Sequence, residues 1–399
     1  MRTFSNIQKN KMLKSCKLLS CKFFITFLLI SDVLYLSGQN LFISDIVGVT
    51  KPVVWLRADS LSLDTDILRD VSGNSNHGNF ISEKGGLYFD TINYNKAVKI
   101  DGGIKIQIPS ISKDESRFRI FTVYQSIDST NEQNLWQVID TTKTQISQTT
   151  NNTYDGISPS EYTKSHFTIP VVTSHSQPFP RNQDELGEIN LGSSDSLPFM
   201  GKIAEFLIFN KNLTNKTRDQ WESYLAIKYG ATLKERSYYS STGDSVWSYY
   251  SSKNYSGTII GIGRDDFFGL NQKQSHSYNN EIIFGIGGEL FPTNEDNTEQ
   301  IENQSYVMLG TEIEKINESS QQMLENGFLL TKYGDYKIQT SNNANDISTF
   351  LIIKTNGWEG DLERYNLFID RSGEGEYQNS AISFFIADKL DDTTLIFRD

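Results

Sequence analysis

Two short segments hold the side chains best placed for cation chemistry. Asp70, Asn74, Asn76 and His77 fall within the turn-rich run DVSGNSNHGNF. Carboxylate and amide oxygens at such short spacing suit a hard cation, and calcium is the candidate cofactor. The same residue types also cap turns by bonding to backbone amides, and in a segment this dense in Gly and Asn that is the stronger reading. His77 fits a packed turn residue as well as a ligand. Asp265 and Asp266 follow Arg264 directly after the Gly-rich GIG. Adjacent side chains on an extended chain point to opposite faces, so these two carboxylates share one ion only within a turn. The competing expectation is a salt bridge, with one Asp opening a turn before Phe267-Phe268-Gly269. The metal candidates are therefore Asp70, Asn74, Asn76, Asp265 and Asp266. GIGRDD lacks the spacing and the Lys-Ser/Thr of a phosphate loop.

No catalytic residue emerges. Sugar hydrolysis needs two carboxylates facing one pocket. Glu205 sits in the strand GKIAEFLIFN, where strict alternation puts Gly201, Ile203, Leu207 and Phe209 on its face. None is a second carboxylate. Asp361 and Glu363 have an i, i+2 spacing, but EGDLERY reads as a loop. No Gly-x-Ser-x-Gly elbow and no His-Glu-x-x-His helix occurs. Trp136, Trp247 and the Tyr249-Tyr250 pair are candidates for stacking on sugar rings, or for ordinary packing.

The 399 residues carry 37 Lys+Arg against 49 Asp+Glu, a net charge of -12, with only two cysteines. Both cysteines, Cys16 and Cys21, lie in a basic N-terminal stretch that leads into FFITFLLISDVLYLSG. That apolar run is short and broken by Asp32, which fits a secretory signal over residues 1–39 better than a membrane span. Met12 is an alternative start. Cleavage near Gln39 removes six positive charges and one negative, leaving 31 against 48, a net of -17, and no cysteine. The expected mature protein is secreted or on the cell surface, has no membrane span, and holds together without disulfides. Nucleic acid is excluded as a partner by this charge and by the lack of a basic stripe.

The elements that must position these residues read mostly as short strands with polar turns. VVWLRA (53–58), GGLYFD (85–90), AVKIDGGIKIQIP (97–109), FRIFTVYQSI (118–127) and GKIAEFLIFN (201–210) are strand candidates. Residues 141–165 read as a polar loop or edge hairpin. LTNKTRDQWESYLAIKYG (213–230) is the clear helix, with Thr214 or Thr217 as N-cap and Gly230 at C′. Trp221, Tyr224 and Leu225 fall on one face of it. After a polar stretch at 231–245, further strands are expected at 257–263, 280–287, 305–310, 348–355, 365–369, 382–388 and 394–397. The stretch 291–304 reads as a loop, and 313–327 as a possible helix.

Three stretches carry a resemblance. VVWLRADS with DVSGNSNHGNF resembles the opening of laminin-G-like, concanavalin-A-like jelly-roll domains in secreted surface proteins of Bacteroidetes-type bacteria. MGKIAEFLIFNKNLTNKTRDQWESYLAIKYGATL (200–233) resembles their closing strand and helix. GIGRDDFFGLNQKQSHS (261–277) resembles a motif in a domain of unknown function that follows them. The resemblance covers roughly residues 48–399. It implies an all-β chain: a concanavalin-A-like antiparallel jelly-roll sandwich with a short closing helix over 48–234, then a second β-sandwich-like domain over 235–399. It implies a non-catalytic binding or adhesion module, with glycans or surface proteins as partners. A structural spacer is the alternative, and a polysaccharide-active hydrolase stands behind both. No Gly/Lys-rich sorting tail is present, and the final strand is either integral or part of a larger architecture.

Overall fold

The structure is a computed structural model. It describes residues 48–62, 67–82, 88–101, 104–127, 132–139, 145–150, 169–179, 183–192, 197–277, 280–312, 320–323, 329–332, 335–342, 344, 347–355, 365–370, 382–391 and 393–398. The expected signal, both cysteines and the pair Asp361 and Glu363 lie outside the described residues. The chain divides into two compact units, Met1–Val49 and Thr50–Asp399. Of the first, only residues 48 and 49 are described.

The second unit is almost all β, with antiparallel sheets and one α-helix among the described residues. Fourteen strands precede the helix: β1 (Val54–Ser62), β2 (Ile67–Asp70), β3 (Gly78–Ser82), β4 (Tyr88–Ile92), β5 (Asn95–Asp101), β6 (Ile104–Ile108), β7 (Ile111–Ser112), β8 (Arg117–Ser126), β9 (Asn134–Ile139), β10 (Gln145–Thr149), β11 (Val171–Pro178), β12 (Glu185–Leu186), β13 (Glu188–Leu191) and β14 (Met200–Phe209). Twelve of them form one continuous sheet, ordered β10-β9-β13-β6-β3-β2-β1-β14-β5-β4, with β8 joined to β14 and β11 to β8. β7 and β12 pair separately. The sheet wraps around a single core. Val54, Leu56 and Ala58 of β1, Ile106 and Ile108 of β6, Trp136 and Val138 of β9, and Phe206 and Ile208 of β14 all face it. Alternation then turns Trp55, Arg57 and Asp59 of β1 outward.

Of the stretch 141–165, expected as a polar loop or edge hairpin, residues 145–150 are described, and β10 within them forms a hairpin with β9 at the end of the sheet path. Alternation fails in β14. A bulge between Ile203 and Glu205 shifts the register. Ile203 therefore joins Phe206 and Ile208 in the core, while Glu205 shares the outer face with Leu207 and Phe209. The expected grouping of Ile203 with Glu205 is corrected by that one extra residue.

The helix α1 (Asn215–Tyr229) follows β14. Thr214 is the N-cap, its Oγ1 accepting from the Thr217 amide at 3.1 Å. Gly230 ends the helix with φ +68, and its amide donates to the Ala226 carbonyl. A Cβ at Gly230 would sit 2.9 Å from the His276 carbonyl oxygen, so both its backbone conformation and its close approach require glycine.

Beyond α1, a four-stranded sheet runs Leu270–Gln272, Ile259–Asp265, Ser305–Thr311, Tyr336–Ser341. A five-stranded sheet runs Gln274–His276, Ile282–Ile286, Thr349–Lys354, Thr394–Arg398, Asp388–Asp391. Ile260, Ile262, Phe284, Leu309, Leu351 and Phe397 belong to the core they share. The helix expected over 313–327 is corrected where that stretch is described. Ser320–Met323 is a strand paired with Leu329–Lys332, its backbone groups satisfied across the ladder rather than along the chain.

Candidate functional site

The structure brings Asp70, Asn74 and Asn76 together in the turn after β2. Asp70 Oδ1 accepts from the amides of Trp55 (2.8 Å) and Ser72 (2.9 Å). Its Oδ2 accepts from Ser72 Oγ (2.8 Å) and the Asn76 amide (2.9 Å). Asn74 and Asn76 each donate Nδ2 to the Val53 carbonyl, at 3.2 and 2.8 Å. These bonds tie the turn to the start of β1. His77 Nδ1 accepts from the Asp70 amide at 3.0 Å, which leaves Nε2 as the N–H of the neutral ring.

Asp265 and Asp266 are not brought together. Asp265 is fully buried, and its oxygens accept from Ser241 N (2.9 Å), Ser241 Oγ (2.8 Å), Tyr306 OH (2.7 Å) and the Phe267 amide (3.2 Å). Asp266 is solvent-facing and takes Arg264 on both oxygens, Nε to Oδ1 at 2.6 Å and Nη2 to Oδ2 at 3.2 Å. Among the described residues, no group of three or more His, Cys, Asp or Glu side chains is arranged to hold a metal ion.

A larger polar cluster, not foreseen as a unit, sits under α1. Glu205 is buried, with Oε2 accepting from Trp55 Nε1 at 2.9 Å. Its Oε1 accepts from Tyr224 OH (2.6 Å), Lys228 Nζ (2.6 Å) and Tyr229 OH (2.9 Å). Lys228 also reaches Asp59 Oδ2 at 3.1 Å, and Arg57 holds Asp59 from the other side. Burial opposes the Asp59 charge, yet Lys228 and Arg57 together hold its carboxyl well below the usual range. Burial and the Glu205 charge push the Tyr224 and Tyr229 phenols well up, so both remain donors. On the other flank of the helix, Glu222 is buried between Arg236, which donates to Oε2, and Arg218, whose Nε lies 3.6 Å from Oε1. Burial pushes the Glu222 carboxyl up to about 7, against the pull of both arginines.

Aromatic packing completes this joint. Trp221 meets Trp55 edge-on (5.1 Å) and Phe268 (4.8 Å), while Tyr224 stacks on Phe268 at 5.0 Å. The turn Asn93-Tyr94 between β4 and β5, with positive φ at both residues, closes the helix end. Asn93 and Asn95 donate Nδ2 to the Lys228 carbonyl (3.0 and 2.7 Å), and Asn93 Oδ1 accepts the His276 amide at 2.9 Å. Trp55, Arg57 and Asp59 of VVWLRADS, the aromatic and charged residues of ESYLAIKYG, and Phe268 of GIGRDDFFG thus meet in one joint, while Arg264, Asp265 and Asp266 bond elsewhere.

A different arrangement occupies the outer face of β3, β6, β13, β9 and β10. Asn79 stands opposite Gln107, Gln107 opposite Asn190, Asn190 opposite Gln137, and Gln137 opposite Ser147. Directly paired residues share a face, so five uncharged hydrogen-bonding side chains form one row across five strands. Phe80 and Ile106 beside them point inward to the core. The ends of the row, Asn79 and Ser147, are exposed. Gln107 and Gln137 are half-buried, and Asn190 at the centre is buried. Asn190 Nδ2 donates to Glu188 Oε1 at 3.0 Å, and its Oδ1 has no hydrogen-bond partner among the described residues.

One end of the row opens into a cleft of about 490 Å³. Ser75, His77 and Asn79 form one wall, and Gln107, Pro109 and Glu188 contribute to the other. Glu188 is the only carboxylate among its lining residues. The turn organised by Asp70 therefore supplies a wall of the cleft through its other residues. Sequence reasoning missed Asn79, Gln107 and Asn190 because their juxtaposition depends on the register of strands distant in the chain. Trp136 and Trp247 are corrected as stacking platforms, because both are fully buried. Tyr250 is 89% exposed.

No match is found among curated proteins. Residues 217–397 match a domain of unknown function (DUF8202), a segment that begins inside α1. Among solved structures, the chain is similar to domain 4 of AbnA, a GH43 extracellular arabinanase from Geobacillus stearothermophilus, in complex with arabinotriose. Identity is 16% over 42% of this chain and 95% of that one, with a TM-score of 0.30. It is also similar to the CBM22-1 xylan-binding domain from Paenibacillus barcinonensis Xyn10C, at 9% identity over 40% and 95%, with a TM-score of 0.21. The botulinum neurotoxin serotype C1 binding domain aligns at 10% identity over 87% and 93%, with a TM-score of 0.28.

Proposed function

We propose that this protein is a non-catalytic extracellular binding module that takes carbohydrate on the outer face of β3, β6, β13, β9 and β10. The wrapped sheet before α1 is the concanavalin-A-like jelly roll of this reading. The observation that carries the reading is the in-register row from Asn79 to Ser147 with the cleft at its end. Primary amides and hydroxyls offer donor and acceptor together, which matches the hydroxyl groups of a sugar. Neither Asn79 nor Gln107 spends its amide on a bond within the described protein. A lone lining carboxylate does not supply the acid and base, or acid and nucleophile, of glycoside hydrolysis.

The test is isothermal titration against a polysaccharide panel, with Asn79→Ala/Gln107→Ala beside the wild type. Two lost hydrogen bonds at about 1 kcal/mol each correspond to roughly a tenfold to thirtyfold weaker affinity. No reducing sugar is expected to be released. Catalytic turnover of a bound polysaccharide, or unchanged affinity in the double variant, would sink the reading.

A further inference from the structure

Resting on that carbohydrate reading, we infer that the ligand is an uncharged, extended glycan chain lying across the strands, with one end in the cleft beside His77 and Asn79. Three features of the face support the orientation and the class. First, the row crosses five strands at right angles to them. At about 4.8 Å between strands its four intervals span about 19 Å, more than a monosaccharide fills. Second, the accessible members of the row, Asn79, Gln107, Gln137 and Ser147, stand on four different strands on either side of the buried Asn190. A ligand running along a single strand would meet one member of the row. A ligand running across the strands meets the exposed and half-buried members Asn79, Gln107, Gln137 and Ser147, and passes over the buried Asn190.

Third, the electrostatics select against anions. Among the described residues lining the cleft, the only formal charge of fixed sign is negative, Glu188, held in place by Asn190 Nδ2. No Lys or Arg is among the described residues lining the cleft, and the chain as a whole carries a net charge of -12. A uronate or sulfated chain would lose its hydration there without gaining a cation, which is unfavourable. The described cleft lining also contains no Phe, Tyr or Trp; its apolar members are Ile67, Ile108 and Pro109. Recognition then rests on hydrogen bonds repeated along the chain, so affinity should grow with ligand length.

The experiment uses the full chain in affinity electrophoresis against neutral polysaccharides (glucans, xylan, mannan) and polyanions (polygalacturonate, alginate, heparin). The polymer that retards best is then titrated as a size-graded series of its oligosaccharides. We expect retardation by a neutral polymer and not by the polyanions. Affinity should rise at least tenfold from the monosaccharide to the longest oligomer, then level off. Asn79→Ala should weaken short and long oligomers alike, about fivefold. Ser147→Ile, at the far end, should weaken only the long ones, about threefold to fivefold. Tyr250→Ala, at an exposed aromatic away from the row, should bind as the wild type does. Polyanion binding of equal strength, full affinity at the monosaccharide, or equal effects of Ser147→Ile on all lengths overturns the inference while leaving carbohydrate binding intact. Loss of binding in Tyr250→Ala alone moves the site off this face. Retardation by no polysaccharide overturns both the inference and the carbohydrate reading on which it rests.

Discussion

The joint beneath α1 and the amide row across β3–β10 are both dense in polar side chains, and they differ in what those side chains touch. Around Glu205 each polar atom meets another: indole, two phenols and an ammonium converge on one carboxylate. Along the row, Asn79 and Gln107 sit side by side, and neither side-chain amide is bonded within the described residues. Buried polar groups stabilise a fold only when satisfied, so a filled network marks structural duty. Open amides on a rigid sheet are left available for a ligand. The residues with the most chemical character are thus the least available for chemistry.

The sharpest way to break the contrast is to remove Glu205. Glu205→Ala takes the acceptor from Trp55 Nε1, Tyr224 OH and Tyr229 OH, and leaves Lys228 with Asp59 as its one remaining carboxylate. Breaking a buried pair on one side costs about 3–5 kcal/mol. Urea unfolding should show that loss, and a loss below 1 kcal/mol would refute the structural role. Next come the two aspartates with four donors each. Asp70→Ala and Asp265→Ala should each lose roughly 2–3 kcal/mol, since each orphans buried donors. Only Asp70→Ala should also weaken carbohydrate binding, because only its turn walls the cleft. Equal binding in both variants would detach that turn from the site.

A smaller effect separates the carboxylates flanking the helix by pH. The folded state holds Asp59 below its ordinary value of 3.8, so its contribution is present above that pH and fades in stronger acid. Glu222 runs the other way. Its folded value of about 7 lies above the ordinary 4.5, so its contribution is full below 4.5 and is lost as pH rises through 7. Between about pH 5 and 8 the wild type should lose on the order of 1–3 kcal/mol that Glu222→Gln does not lose. Parallel stability curves for the two proteins would show that Arg236 and Arg218 keep Glu222 ionised throughout.

How much of this was legible in the sequence follows the range of the interactions. Thr214, Lys228 and Gly230 mark the helix because caps are local. Strand identities came through because Val54, Leu56 and Ala58 alternate with outward residues. The turn role of Asp70 and the Arg264–Asp266 pair were also readable within a few residues. Glu205 was placed in the right strand with Leu207 and Phe209 rightly on its face and Ile203 wrongly so, since the bulged residue Ala204 shifts the side chains that precede it. The row was invisible because Asn79 and Asn190 are brought into one line by pairings through β6. Ser147 joins only through the β9–β10 hairpin. The familiar motifs pointed to the joint. One of them, DVSGNSNHGNF, also carries Ser75, His77 and Asn79 into the cleft wall.

The smallest expected effect is the most informative about that face. Asn79→Ala and Gln107→Ala remove amides that hold nothing within the described protein, from positions that are exposed and half-buried. Substitutions of this kind change stability within about 0.5 kcal/mol. Measured together by urea unfolding, the pair should match the wild type while binding falls at least tenfold. That combination separates a residue that builds the sheet from one the sheet presents. If instead the double variant unfolds 2 kcal/mol more easily, the amides brace neighbouring strands, and the row becomes a second version of the Glu205 joint rather than its opposite.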